Sequence, residues 1–294
     1  MRSRRGASPL RPLDRRLESL SSLDAPGNAI GSRVRGLLGS GAPKDLLSGT
    51  WLGHALHPML TDVVIGSFTS ATLIDLIGGD RDGRAANRLT AIGIAAYGPT
   101  ALTGVSDWAD TEEADEGVRR VGLIHAATNS VALASFAAAL VARRRGRRGR
   151  GRLLSIAGSA ALGAAGYLGG HLSFVQGVGP NQTVFDAGTH EWTDVASIDE
   201  LEAGVPVSAQ AGETPVLVVR TPAGIRALHD RCSHRGCPLS GGEIDGEAIV
   251  CGCHGSRFAL RDGAVLKGPA TAPQPAFEAR ESEGRIQVRR APND

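Results

Sequence analysis

The chain has 294 residues, enough for one or two domains. Its charge is nearly balanced, 32 Lys and Arg against 30 Asp and Glu, so no global basic excess points to a nucleic-acid partner. Residues 1–50 are polar and locally basic, with Arg2, Arg4, Arg5, Arg11, Arg15, Arg16, Arg33 and Arg35. They lack the apolar core of a signal peptide and read as a lead-in segment, partly helical around 12–22.

Residues 51–178 are rich in Ala, Gly, Leu, Ile and Val. Four apolar stretches can be marked, at 58–79, 87–106, 121–142 and 153–176, each near the twenty residues a spanning helix needs. Their small residues, Gly158, Gly163, Gly166, Gly169 and Gly170 among them, suit close helix packing in lipid. A soluble Ala-rich bundle is the alternative, but its helices would carry charge along one face. Here the charges gather at the ends.

The connecting loops differ in sign. Arg81, Arg84 and Arg88 follow the first stretch, and Arg143 to Arg150 with Arg152 follow the third. Asp107, Asp110, Glu112, Glu113, Asp115 and Glu116 follow the second. The positive-inside rule then predicts a multi-pass cell-membrane protein with its two basic loops in the cytoplasm and both termini outside. The basic residues 1–50 argue for the opposite side; short loops carry more weight in that rule. The arginine run reads as a topology signal and not as a nucleic-acid site.

His54 and His57 precede the first stretch, His125 opens the third and His171 lies near the end of the fourth. Helix parity puts all four at the face from which the C-terminal region emerges. Asp62 lies just over a turn inward from His57, and Asp75 near the end of the first stretch reads as a cap or as the partner of a loop arginine. Three readings stay open for the histidines: axial ligands of a haem b, a quinone or other metal site, or interfacial side chains satisfied by neighbouring helices. Gly53-His-Ala-Leu-His-Pro58 carries a His-x-x-His-Pro sequence, and residues 54–178 resemble a family of predicted four-helix membrane domains of unknown function marked by it.

A linker at 179–189 leads to residues 190–292, where short apolar runs alternate with Gly-containing turns. Pro215–Val219 and Ala248–Val250 read as strands, with further strands at 201–209 and 277–288, so small antiparallel sheets are expected. Between them lie Cys232-Ser-His234 and Cys251-Gly-Cys253-His254, a C-x-H-x16-C-x-x-H pattern. Two thiolates and two imidazoles suit a closed zinc site, or a [2Fe–2S] cluster with two Cys on one iron and two His on the other. Zinc fingers usually pair Cys with Cys and His with His along the chain; the mixed pairs here favour the cluster. His229 reads as a surface or strand residue.

The flanking residues, Cys232-Ser-His-Arg-Gly-Cys-Pro238 and Cys251-Gly-Cys-His-Gly-Ser-Arg-Phe258, resemble the two cluster-binding loops of the Rieske family, over roughly 190–292. The resemblance implies that Cys232 and Cys251 hold one iron and His234 and His254 the other. It implies a loop-tying disulfide between Cys237 and Cys253, as in the Rieske proteins of cytochrome bc complexes. Pro269, in Gly268-Pro269-Ala270, matches the family's proline loop. Ser256 matches a residue whose hydroxyl bonds a bridging sulfide. Phe258 falls where high-potential members carry a Tyr, which predicts a potential between those of the soluble ferredoxins and the bc-complex proteins. Arg235 either favours the reduced cluster by its charge or is simply solvated.

The expected architecture is a four-helix transmembrane bundle followed by an all-β Rieske domain. The expected function is one-electron transfer between a membrane donor, quinol or haem, and a redox partner protein docking at His234 and His254. A redox-sensing or tethering module and a quinol oxidoreductase subunit are the alternatives. No second two-His-one-carboxylate iron set is apparent, so oxygen activation by the chain itself is not expected.

Overall fold

The computed structural model describes residues 9–78, 83–186 and 188–290. Arg2, Arg4, Arg5, Arg81, the last residue of the first expected span and the last two of the expected C-terminal domain lie outside them. The chain divides into two compact units. One comprises Leu56–Val178 with the residues up to Leu37, the other Gly179 onward with Leu38–Ala55.

The first unit is helical. Its long helices are α4 (Leu56–Ile77), α5 (Gly83–Ala109), α6 (Glu116–Arg144) and α7 (Arg148–Phe174), preceded by α1 (Arg11–Glu18) and α2 (Asp24–Leu38), while α3 (Ala42–Ser48) belongs to the other unit. The four expected long helices are α4 to α7; the N-terminal segment adds α1 to α3, so the described residues hold seven α-helices where the expected architecture named four. Among the described residues α4, α6 and α7 are long and apolar enough to cross a membrane. The second expected span, α5, is 27 residues long and carries Pro99 with Thr90, Thr100, Thr103 and Ser106 within it.

Local chemistry explains the helix starts. Pro58 sits in the first turn of α4, where a missing N–H costs nothing. Asp115 caps α6 by accepting from Val118 N at 3.0 Å. Each long helix packs beside its chain neighbours and α7 returns beside α4, so α4 and α6 face each other across the bundle. At its centre the rings of Phe68 (α4) and Phe136 (α6) stack at 4.0 Å, with Val64, Ala132 and Leu162 around them.

The acidic loop is not simply solvated. Glu112, fully buried, accepts from Arg119 and from Arg35 of α2, each at 2.6 Å. Arg120 donates to Asp24 and Glu116. Gly31 lies against the Glu112 carboxyl and Gly27 against the Arg119 stem, so α2 docks through small residues. At the other end Arg143 pairs with Asp75 and donates to Asn87, Thr90 and Ser155, which answers the question posed by Asp75.

The second unit is all-β apart from α3 and short turns. One antiparallel sheet has the order β1-β10-β9-β4-β3-β2 and a smaller one β5-β6-β7-β8. The strands are β1 (Thr193–Ser197), β2 (Val207–Ala211), β3 (Thr214–Thr221), β4 (Gly224–His229), β5 (Glu243–Asp245), β6 (Ala248–Val250), β7 (Arg257–Ala259), β8 (Val265–Lys267), β9 (Ala276–Ser282) and β10 (Arg285–Arg290). The strand expected over 201–209 forms only at its end and beyond, as β2.

Strand β3 explains its own sequence. Val216 and Val218 enter a core with Ala227, Phe277 and Ile286, while Leu217 and Val219 enter a second core with Leu228, Ile249 and Phe258. Both faces are covered, so the strand reads as an unbroken apolar run instead of an alternation. The second core also contains Cys232 and Cys251.

Candidate metal centre

Two loops of the β unit carry the four donors. The first follows β4, and the second joins β6 to β7. Each is closed in the same way: Gly236 N donates to Cys232 O at 2.8 Å and Gly255 N to Cys251 O at 3.0 Å. Both glycines have φ near +74°, a conformation a Cβ would strain. Gly at these two positions is therefore what lets the loops turn back so tightly.

The donors assemble like with like. Cys232 and Cys251 are buried and joined by a hydrogen bond between their sulfurs. The rings of His234 and His254 meet edge to face at 5.1 Å. The hydrogen bond from Cys232 pulls the Cys251 thiol down to about 6, while the same bond and burial push the Cys232 thiol up. Backbone N–H groups also point at the sulfurs, from His234 and Arg235 onto Cys232 and from Cys253 and His254 onto Cys251. A pair of sulfurs in a nest of amides with an imidazole pair beside it fits a cluster held by two sulfurs on one iron and two nitrogens on the other.

A disulfide joins Cys237 to Cys253, one from each loop, as the family resemblance implied. Cys232 N donates to Cys237 O and Cys251 N to Ser256 O, both at 2.8 Å. Ser256 is fully buried and its Oγ accepts from Ala270 N at 3.0 Å, tying the second loop to Gly268-Pro269-Ala270. Its hydroxyl hydrogen remains to donate. Phe258 is fully buried in the core that contains both ligand cysteines and brings no polar donor. Arg235 is half-buried on the first loop.

Sequence reasoning missed Gln274. It is almost fully buried; its Oε1 accepts from Ser233 N at 2.9 Å, and its Nε2 donates to His229 O at 2.6 Å and to Arg231 O. One amide thus fixes the backbone entering the first ligand loop. Its position far downstream left no local signal. Of the two readings of His229, strand holds and surface does not: it is the last residue of β4 and fully buried. Its Nε2 donates to Asp186 Oδ2 at 3.0 Å and its Nδ1 accepts from Arg231 N.

The chain from Leu38 to Ala55 lies on this same tip. Thr50 Oγ1 donates to Ala270 O at 3.3 Å, Lys267 Nζ to Ser40 Oγ at 3.3 Å, and Gly268 packs under Asp45 and Thr50. Ser40 lies over Gly255, next to His254.

Residues 191–278 match the model of the Rieske [2Fe-2S] domain. The anthranilate 1,2-dioxygenase ferredoxin subunit of Burkholderia cepacia is 32% identical over 98 residues, 33% of this chain and 91% of that protein. The chain belongs to the Rieske [2Fe-2S] family. The cytochrome b6-f complex iron-sulfur subunit of Chlorobaculum thiosulfatiphilum is 30% identical over 29% of this chain and 51% of its own length. Among solved structures, the ferredoxin of carbazole 1,9a-dioxygenase from Nocardioides aromaticivorans IC177 is 30% identical, with a TM-score of 0.32 over 34% of this chain and 98% of that one. Residues 53–182 match a predicted membrane protein family, DUF2231. The [2Fe–2S] cluster, electron transfer as the family's business and a membrane domain therefore stand together in this Rieske protein.

The remaining candidates do not form one site. His54 is exposed in the β unit, its Nδ1 against the neighbouring Ala55 carbonyl. Asp62 is exposed on α4. His171 is buried, with Nε2 donating to Glu18 Oε1 of α1 at 2.8 Å. His57 and His125 stand apart from these and face the bundle.

Proposed function

We propose that this Rieske protein is a membrane-anchored one-electron carrier. It passes electrons between a donor in the membrane and a protein that docks at the edges of His234 and His254. The observation that carries this reading is the assembly of the four donors into a thiol pair and an imidazole pair, on a chain whose other unit holds three helices apolar enough to span a bilayer. When bound, the cluster takes up and releases one electron. The residues around it would hold its charge: backbone amides onto both ligand sulfurs, the Ser256 hydroxyl, and a dry core of Phe258, Leu239 and Ile249.

The extracytoplasmic side suits the β unit on two grounds. A disulfide persists in an oxidising compartment, and the arginines between α6 and α7 favour the cytoplasm for that loop. Blocking free thiols in intact cells before lysis should leave Cys237 and Cys253 unlabelled; labelling of both would place the domain inside.

The decisive experiment uses the purified full chain in detergent, with the cluster followed by electron paramagnetic resonance. A carrier fed from the membrane is reduced by added quinol or by a reduced membrane haem within milliseconds to seconds. A cluster that titrates at equilibrium but accepts no electron from either source would instead support a sensing module. Zinc in place of iron would end both readings.

A further inference from the structure

The helical unit is built twice. Ser67-Phe68 of α4 recurs as Ser135-Phe136 of α6, and in each case a histidine lies eleven positions before the Phe, His57 and His125. Gly93, Gly98 and Gly104 of α5, spaced Gly-x4-Gly-x5-Gly, recur as Gly158, Gly163 and Gly169 of α7, with Ala95-Ala96 repeated as Ala160-Ala161.

The packing repeats with the sequence. Phe68 lies on Gly93, where an added methyl would come within 2.5 Å of the ring, and Phe136 lies on Gly158, at 2.9 Å. These two rings are the stacked pair, so the two halves meet there face to face. Asp75 and Arg143, the ion pair, stand seven positions beyond the two phenylalanines. The hydroxyls that Arg143 reaches, on Thr90 and Ser155, stand three before the two glycines. That end of the repeat has diverged into a structural lock.

The histidine end has not diverged. A methyl at Gly104 would lie 2.6 Å from His57 Cε1, and one at Gly169 would lie 3.1 Å from His125 Cε1. Each ring therefore rests in a glycine notch of the neighbouring helix. His57 Nδ1 donates to the carbonyl of Thr100, and His125 Nδ1 to that of Ala165, at 3.0 and 2.9 Å; each acceptor lies four residues before its notch glycine. Thr61 and Asn129, each one turn after its histidine, donate to the backbone carbonyls of His57 and His125.

A carbonyl can only accept, so each Nδ1 carries the proton and each Nε2 keeps its lone pair. A ring held at Nδ1 by a carbonyl presents its Nε2 to a metal. The two histidines stand on α4 and α6, each three turns before its member of the stacked Phe68–Phe136 pair. Among the described residues His57 and His125 belong to no group of three or more His, Cys, Asp and Glu side chains gathered for a single ion. A bare ion takes three or four protein ligands, whereas a haem supplies four nitrogens itself and asks for two more along its axis.

We propose that His57 and His125 are the two axial ligands of one haem iron held between the duplicated halves of the bundle. The glycine notches keep the flanking helices close and the rings upright. Asn129 Nδ2, now 3.1 Å from His125 Nε2, gives up that nitrogen to the iron and keeps its bond to the His125 carbonyl. The proposal deepens the carrier reading by naming the membrane donor, and it rests on that reading for its role but not for its chemistry.

The test is titration of the purified full chain with haemin, read by its optical spectrum and by magnetic resonance, with the cluster signal recorded on the same sample. Wild type should saturate at one haem per chain with a low-spin, six-coordinate spectrum. His57→Gly and His125→Gly should each weaken binding more than about tenfold and turn the remaining haem high-spin, and added imidazole should restore the low-spin form. His171→Gln, whose ring is engaged by α1, should bind as wild type does. Absence of saturable binding by wild type, or low-spin haem persisting in either glycine variant without imidazole, overturns the proposal. A chain with a reducible cluster and no haem loses only this site; a chain with no cluster loses the carrier reading.

Discussion

Phe258 sits in the same core as both ligand cysteines and offers no hydrogen to them. Replacing it with Tyr introduces a donor at a position whose backbone is fixed by β7. A hydrogen bond of about 1 kcal/mol that favours the reduced cluster corresponds to about 40 mV for one electron. We expect Phe258→Tyr to raise the midpoint potential by about that amount, read by redox titration; an unchanged potential would mean the hydroxyl points elsewhere. Asp186 gives a pH signature. Burial works against its ionisation, but bonds from Thr214 and His229 outweigh it and hold the carboxyl below its ordinary range. A depressed carboxyl pKa adds stability above the unfolded value near 3.8, and that stability is lost as pH falls through the lower folded value. The acid bleaching of the cluster should therefore move to higher pH in Asp186→Asn, because the bracing charge behind His229 is gone. Identical bleaching curves would count against this.

At the scale of elements, the segment Leu38–Ala55 is the least expected feature. Its sequence, with Lys44 and Asp45 beside two leucines, looks like part of a solvated lead-in, yet it folds onto the cluster tip as α3. Gly268 is the position that admits it: its backbone is not in the left-handed region, so only space excludes a side chain. Gly268→Ala would press a methyl against Thr50 and Asp45 at a cost of about 1–3 kcal/mol. Faster amide exchange across residues 42–50, with the cluster retained, is the expected result. Unchanged exchange there would show that the segment holds by other contacts. The strands teach the converse lesson. Ala248–Val250 was readable because a short apolar run between glycine turns has few alternatives, whereas Leu201–Val205 looked like strand and forms none, since Leu201 alone enters the core and Ala203 and Val205 stay exposed.

Across the whole molecule, charge was the least reliable guide. The sign of the acidic loop gave only a side of the membrane; in the structure its Glu112 is held by Arg35 and Arg119, and Asp24 of α2 by Arg120. Hydropathy found the four long helices but gave no sign of α2 and α3 before them. The repeat was present in the sequence all along, as His-x10-Phe and Gly-x4-Gly-x5-Gly in two copies, and a comparison of the chain with itself would have found it.

The sequence by itself singled out the candidate cluster donors, Cys232, His234, Cys251 and His254, because each of two short loops pairs a Cys with a His. It also determined the division into a helical and a strand-built half, since the apolar periods differ. Only the tertiary structure decided which histidines belong together. His54, His57, His125 and His171 look alike along the chain. Which of them keeps a lone pair facing the bundle depends on carbonyls and glycine notches contributed by other helices, and no local pattern encodes a neighbour that distant.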